Sequence, residues 1–168
     1  MTKKVIVSAV VLALLVTGCG KKAAEKTAEK VIEKASNGNV NVDITGKNVN
    51  VTINTNSGTI EGSTGESVSL PSDFPSDVYV IDGTIKTVVK KPETNSYSVS
   101  LETSKSAVEA KTLYETKLKE SGWNVTFSMA TDTGSTMSAT KGTRNLSVII
   151  STDEGKTTVI LGTTENTQ

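Results

Sequence analysis

The chain has 168 residues, with 18 Lys and Arg balanced by 18 Asp and Glu, no histidine and a single cysteine. One cysteine cannot form an internal disulfide, and without histidine the chain lacks the usual nitrogen and sulfur ligands of a zinc site. The same composition excludes Ser-His-Asp triads and Cys-His nucleophiles, and the balanced charge argues against nucleic acid as a partner. Aromatic residues make up only 4% of the chain, so any core is aliphatic and small.

Residues 1–18 have the pattern of a secretory signal peptide. Lys3 and Lys4 precede an apolar run from Val5 to Val16, and small residues follow just before Cys19. The run is too short to cross a bilayer as a helix, which takes about 20 residues. The stretch LVTGC resembles the lipobox of bacterial lipoproteins, which implies cleavage before Cys19, a diacylglycerol on its sulfur and often a further acyl chain such as palmitate on the new amino terminus.

Two or three acyl chains on one residue anchor a protein durably, because each buried methylene contributes roughly 0.8 kcal/mol. We therefore expect a membrane partner through the lipid on Cys19 and an extracytoplasmic location. In a host with one membrane, this is the outer leaflet of the plasma membrane. In bacteria with two membranes, an acidic residue directly after the lipidated cysteine retains a lipoprotein at the inner membrane. Because this position is Gly20, the outer membrane is expected in such a host.

Residues 19–37 are expected to form a helical stalk behind the lipidated cysteine. Ala, Glu and Lys favour a helix, and Asn37-Gly38 is a common helix stop. Such a helix would be roughly 20 Å long at about 1.5 Å per residue. It either holds the domain away from the bilayer or packs against it. The apolar stripe that would dock consists of Ala24, Ala28, Val31, Ile32 and Ala35.

Residues 38–62 contain a short internal repeat, NVNVDIT from Asn39 and NVNVTIN from Asn48. Valine or isoleucine alternates with polar residues in both copies, which is the period of a half-buried strand. Gly46-Lys47 and Ser57-Gly58 are typical turns, so a small β-meander is predicted. The Gly-, Ser- and Thr-rich residues 63–69 are predicted to link it to a main domain over residues 70–168.

The main domain begins with LPSDFPSDVYVIDG, in which Pro71 and Pro75 disfavour helix in the residues before them. Phe74, between the prolines, is expected to insert into the core. Asp73, Asp77 and Asp82 do not follow the spacing of a calcium-binding loop, so turn and cap roles are expected and no metal site is predicted.

A single amphipathic helix follows the alternating strand SYSVSLET. Ser106 and Glu109 form a capping box at its start, and Gly122 suits the left-handed residue after its end. Ala110, Leu113, Tyr114 and Leu118 form its core-facing stripe. Trp123 is expected to pack back on Leu118 and to have a structural role.

Four further strands are predicted, beginning with WNVTFSM, whose alternation places Trp123, Val125, Phe127 and Met129 on one face. The expected order in the main domain is β-β-α-β-β-β-β. One helix packed on an antiparallel sheet, an α+β fold, accounts for this order.

The combination of LPSDFPSDVYV, LYETKLKESGW and closing hairpins resembles a group of small, largely uncharacterised bacterial lipoproteins. In that group a D-F-P stretch precedes a helix ending in Y-x-x-x-L-x-x-x-G-W, matched here by Tyr114, Leu118, Gly122 and Trp123. The resemblance covers roughly residues 70–162, although Asp82-Gly83 replaces the usual proline-glycine turn. It implies a recurring envelope domain and transfers no catalytic residue.

The sequence contains no recognisable catalytic motif or cofactor site. We therefore expect that the protein is not an enzyme and binds no cofactor. The first functional hypothesis is a lipid-tethered module that binds an envelope protein or a wall polymer through a sheet face or strand edge. The second is a carrier of small or hydrophobic molecules, with an apolar pocket between Tyr114, Trp123 and the sheet. A carrier requires a cavity of some hundreds of cubic ångströms, whereas an interaction module can have a filled core.

Overall fold

The computed structural model describes residues 21–165, with side chains from residue 25, so the predicted signal peptide and Cys19 lie outside the described residues. The described part consists of two helices, one 3-10 turn and a single antiparallel sheet of nine strands, ordered β1-β2-β3-β4-β5-β9-β8-β7-β6. The bounds are α1 Lys21–Ala35, β1 Val40–Thr45, β2 Asn48–Thr55, β3 Gly58–Thr64, β4 Thr84–Lys91, the turn Pro92–Thr94, β5 Ser96–Thr103, α2 Ala107–Glu120, β6 Asn124–Thr131, β7 Gly134–Lys141, β8 Arg144–Asp153 and β9 Lys156–Glu165.

The predicted α+β class is confirmed, but the arrangement differs in detail from the expected one. The N-terminal meander has three strands, and its last strand, β3, pairs antiparallel with β4. Glu61 to Thr64 form this pairing, so part of the predicted linker is strand. Meander and main domain therefore share one continuous sheet. Sequence periodicity could not show this, because it specifies strands and not the partners they pair with.

The hydrophobic core lies on one side of this sheet, which we call the inner face. Helix α2 packs over β6, β7 and β8 on that face. The proline-framed segment, residues 68–83, supplies further core side chains such as Val78 and Ile81. Alternation along the strands directs every second side chain to this core. The apolar strand residues buried on this face are Val88, Tyr97, Val99, Leu101, Met137, Ala139, Leu146, Val148, Ile150, Val159 and Leu161.

Helix α2 begins and ends where its sequence directs. The Ser106 side chain accepts a hydrogen bond from the backbone N–H of Glu109, and the Glu109 carboxylate accepts one from the backbone N–H of Ser106. At the other end, Gly122 has φ +77° and donates to the carbonyl of Lys119, while Trp123 donates to that of Leu118. These two hydrogen bonds form a Schellman motif, in which the left-handed residue is usually glycine. The motif directs the Trp123 side chain back into the core.

Helix α1 docks along strand β1, which agrees with the second of the two possibilities for this segment. The docked side carries Ala28, Glu29, Ile32 and Glu33, all partly buried. Val31, which is 61% exposed, and Ala35 are on the solvent side, so the expectation that these two belong to the docking stripe is wrong. Glu29 accepts a hydrogen bond from the backbone N–H of Ile44 at 2.8 Å. Within the described residues, no helix is long and apolar enough to span a membrane.

Two ion-pair clusters hold the proline-framed segment on the inner face. The Asp77 carboxylate accepts from Lys141 Nζ at 2.6 Å and from both terminal nitrogens of Arg144, at 2.7 and 2.5 Å. Arg144, and after it Lys141, hold the pKa of Asp77 well below its usual range. Asp73 pairs with Lys90 Nζ at 2.6 Å. Asp73 and Asp77 each lie in a tight turn, closed by hydrogen bonds from the Phe74 N–H to the Pro71 carbonyl and from the Val78 N–H to the Pro75 carbonyl, which agrees with the turn role expected for them. Their carboxylates also tie the segment to the sheet across long sequence separations.

Phe74 does reach the sheet, where its ring meets Tyr97 edge to face with centroids 5.5 Å apart. Trp123 Nε1 donates to the carbonyl of Asp77 at 3.0 Å, and the Arg144 guanidinium lies 5.1 Å from the centre of the indole ring. The tryptophan, the Asp77 cluster and the proline-framed segment therefore form one connected unit at the carboxyl end of α2.

Candidate functional site on the outer face of the sheet

The opposite side of the sheet, the outer face, exposes four large apolar side chains in the half formed by β6 to β9. They are Phe127, Met129, Ile149 and Ile160, whose exposed fractions lie between 38% and 52%. Isolated apolar residues on a surface are ordinary, but a cluster on one face indicates a contact surface.

A bulge in β6 creates half of this cluster. The register of β6 against β7 shifts between Val125 and Phe127, so Val125 pairs with Ala139 on the inner side while Phe127 pairs with Ser138 on the outer side. A bulge inserts one residue and reverses the facing of all that follow. The expectation that Trp123, Val125, Phe127 and Met129 share one face is therefore wrong. Only Trp123 and Val125 face the core.

Strand register aligns the outer-face residues into two rows that cross the sheet. The first row joins Met129, Thr136, Ile149 and Ile160 as direct neighbours on β6, β7, β8 and β9. The second row joins Phe127 to small residues on the same strands. Its members are Phe127, Ser138, Ser147, Gly162 and, on β5, Ser98. Small side chains beside a phenyl ring leave a depression in this half of the face.

That depression is a groove of about 340 Å³. Its volume lies near the lower end of the range of small-molecule pockets. The lining has hydroxyl and amide groups and carries no charge. It consists of Thr126, Ser138, Ala139, Thr140, Asn145, Leu146, Ser147, Gly162 and Thr164. The groove lies toward the starts of β6 and β8, at the end of the sheet away from the amino terminus of α1.

The groove offers binding groups but no catalytic ones. Neutral hydroxyls and one amide can donate and accept hydrogen bonds, while proton transfer near neutral pH requires a titrating group. Among the described residues, no three Asp, Glu, His or Cys side chains come close enough to hold a metal ion.

The pocket expected between Tyr114, Trp123 and the sheet is filled by core side chains. Tyr114 is fully buried and Trp123 is 4% exposed. The Tyr114 hydroxyl accepts from the backbone N–H of Ile81 at 3.3 Å, and burial raises the pKa of this phenol above its ordinary value. The sequence-selected residues lie together around α2: Ser106, Glu109, Tyr114, Leu118, Gly122 and Trp123.

Sequence alternation alone does not reveal the outer-face cluster, because it places Phe127 and Met129 on the core face together with Trp123 and Val125. One feature of the sequence does allow the opposite orientation of β6. Ser128 and Ala130 are small enough to lie beneath a helix, which would place Phe127 and Met129 on the other face of the sheet. In the structure Ser128 does face α2, where its hydroxyl donates to Glu115 at 3.1 Å. A single sequence does not reveal the bulge that selects between the two facings.

A START domain-like family model matches residues 85–157. This range runs from β4 to the start of β9 and includes α2 and strands β5 to β8, but it leaves out most of β9, with Gly162 and Thr164 of the groove, and is under half of the chain. The comparisons with curated proteins and with solved structures gave no match.

Proposed function

We propose that this protein is a lipid-anchored, non-enzymatic binding module of the bacterial cell envelope that holds its partner on the outer face of its sheet. The observation that carries the proposal is the outer face itself. Its half from β6 to β9 combines four exposed apolar side chains with an uncharged groove, whereas the inner face has a filled core. A filled core favours surface recognition over enclosure of a ligand.

The anchor is proposed from the signal-like residues 1–18 and Cys19, and the position of α1 is compatible with it. Helix α1 runs antiparallel to β1, with Ser36 near Val40 and Glu29 near Ile44. Its first residues, from Lys21, extend past the end of β1, and Cys19 comes just before them. The membrane then lies at that end of the sheet, and the groove lies toward the opposite end.

Replacing Cys19 by Ser is expected to release the protein from the membrane fraction. The thioether that carries the acyl chains cannot form on a serine, and without them no membrane-spanning segment is expected to remain. The measurement is metabolic labelling with a fatty acid, combined with fractionation of the host. Equal labelling of wild type and Cys19→Ser would contradict the proposed anchor.

Filling the groove is expected to weaken binding to the isolated host envelope. Ser147→Arg places a long, charged side chain on the groove floor, and we expect about tenfold weaker cosedimentation, equivalent to about 1.4 kcal/mol. Thr112→Arg, on the exposed side of α2, is the matched control, because Thr112 also faces solvent but lies on the other side of the sheet. Equal binding by both variants would contradict recognition through the outer face.

A second candidate, binding of a small hydrophobic molecule, is supported by the START domain-like match and by the apolar residues of the outer face. It differs from the first in the bound species that Ser147→Arg would lose. A free hydrophobic ligand extracted with the purified chain, and lost from Ser147→Arg, would favour this candidate over an envelope protein or wall polymer.

A further inference from the structure

The two edges of the sheet are treated differently. Along β1, the backbone N–H of Val40 donates to Ser36 Oγ at 3.1 Å and that of Ile44 donates to Glu29 Oε1 at 2.8 Å. Both acceptors come from the α1 segment, which blocks this edge against further strands. Proteins commonly cover or charge edge strands in this way to prevent unwanted pairing.

The β6 edge has no such protection in the part of the chain that the structure describes. Strand β6 spans eight residues, NVTFSMAT, with no charged residue and no proline. Nearly all of it is exposed, and no described segment pairs with its free edge, the one opposite β7. The bulge at Val125 to Phe127 interrupts only the first part, so Phe127 to Thr131 form a regular open edge.

We propose that the β6 edge accepts an extended segment of a partner protein, without acidic residues, as a tenth strand. The inference rests on the proposed function and names the partner's chemistry. Every second N–H and C=O of an edge strand points outward, and only another extended polypeptide satisfies both along its length. A glycan or a lipid offers no matching repeat of donors and acceptors.

The side chains beside the edge define the sequence of the partner strand. On the outer side Phe127 and Met129 offer apolar contacts, so the partner carries apolar residues at alternate positions. On the inner side Ser128 and the Glu115 carboxylate lie next to the edge. The intervening partner residues are therefore hydroxyl-bearing or basic, because a hydrogen-bond donor complements Glu115.

A second copy of this chain is the less favoured occupant. Two β6 strands paired antiparallel about a twofold axis would bring both α2 helices, each with its Lys111–Glu115 ion pair, to the seam. The regular edge from Phe127 to Thr131 offers such a seam only a few residues a side, far fewer than the roughly 20–30 residues a side of a stable protein–protein interface.

The proposal is tested with random dodecapeptides displayed on phage and selected on the full chain in detergent. We expect the selected peptides to alternate apolar with Ser, Thr, Lys or Arg over at least about five positions, the length of the regular edge. Met129→Lys is expected to weaken a selected peptide about tenfold, since a lysine on an edge strand opposes pairing. Val108→Lys, which also replaces an exposed apolar side chain but lies on α2 and not on the outer face, is expected to leave the affinity within about twofold.

Backbone methylation of the peptide gives the decisive readout. In a paired strand, the N–H groups of alternate residues point toward β6 and those of the residues between them point away. N-methylation of the first set blocks the N–H groups that face β6, and N-methylation of the second set blocks those that face away. We expect loss of binding for only one of the two methylated sets. Circular dichroism of Met129→Lys confirms that the variant is folded.

Three results would overturn the inference. Equal effects of methylating either set would exclude strand addition. Loss of binding in Ser147→Arg with none in Met129→Lys would place the partner in the groove, leaving the proposed function intact. A dimer of the full chain that dissociates in Met129→Lys would identify a second copy as the occupant.

Discussion

Trp123→Ala is expected to destabilise the protein by about 3–5 kcal/mol, the cost of removing a large buried aromatic side chain. The ring is 4% exposed, its Nε1 donates to the Asp77 carbonyl at 3.0 Å, and Arg144 lies over it. Truncation leaves a cavity at the end of α2 and an unpaired carbonyl in the proline-framed segment. For a domain with about 5–15 kcal/mol of total stability, this is a large fraction.

The measurement is chemical denaturation of the full chain in detergent, with Phe127→Ala as the matched aromatic control. Phe127 is 49% exposed on the outer face, so its removal is expected to cost less than about 1 kcal/mol. The two variants should separate the two roles, since Phe127→Ala is expected to impair envelope binding and Trp123→Ala to impair folding. An unchanged midpoint for Trp123→Ala, with binding abolished, would make the tryptophan a recognition residue.

Asp77→Ala is expected to cost roughly 2–3 kcal/mol, because it removes charge-assisted hydrogen bonds to two cations. Lys141 and Arg144 are then left as neighbouring positive charges without their common partner. The Asp77 side chain is 28% exposed, so we place the cost below that of a fully buried pair. Asp82→Ala is the control, since Asp82 is exposed in the same segment, and its expected cost is below about 0.5 kcal/mol.

The Asp77 contribution should also depend on pH with a definite sign. The pKa of Asp77 is lowered in the folded protein, whereas an unfolded aspartate titrates near about 3.9. Its stabilising contribution is therefore fully present above that unfolded value and is lost as the pH falls toward the lower folded value. Stability differences between wild type and Asp77→Ala, measured from pH 7 to pH 2, should be constant down to about pH 5 and shrink below about pH 4. A constant difference to pH 2 would contradict the ion-pair assignment.

Local features of this fold were predictable because they depend on neighbouring residues. Ser106 and Glu109 lie three positions apart, and Gly122 follows directly after the helix, so the ends of α2 could be read from the sequence. The faces of β8 and β9 were likewise set by simple alternation. None of these features requires knowledge of a distant partner.

The features that define the candidate site depend on distant contacts and could not be predicted. The bulge in β6 is fixed by its pairing with β7 and by the space beneath α2, and it moves Phe127 and Met129 to the outer face. The pairing of β3 with β4 runs from Glu61 with Lys90 to Thr64 with Thr87, and residues 65–83 lie between the two strands in the chain. Asp77 meets Lys141 and Arg144 across sequence separations of 64 and 67 residues.

The central claim is that a partner binds the outer face and the β6 edge and does not enter the region between α2 and the sheet. Hydrogen–deuterium exchange of the full chain in detergent, with and without solubilised host envelope, tests it most directly. We predict slower exchange on binding in residues 124–131 and 144–149, with residues 70–83 and 107–120 unchanged. Slower exchange confined to residues 70–83 and 107–120 would place the ligand beneath α2 and contradict the claim.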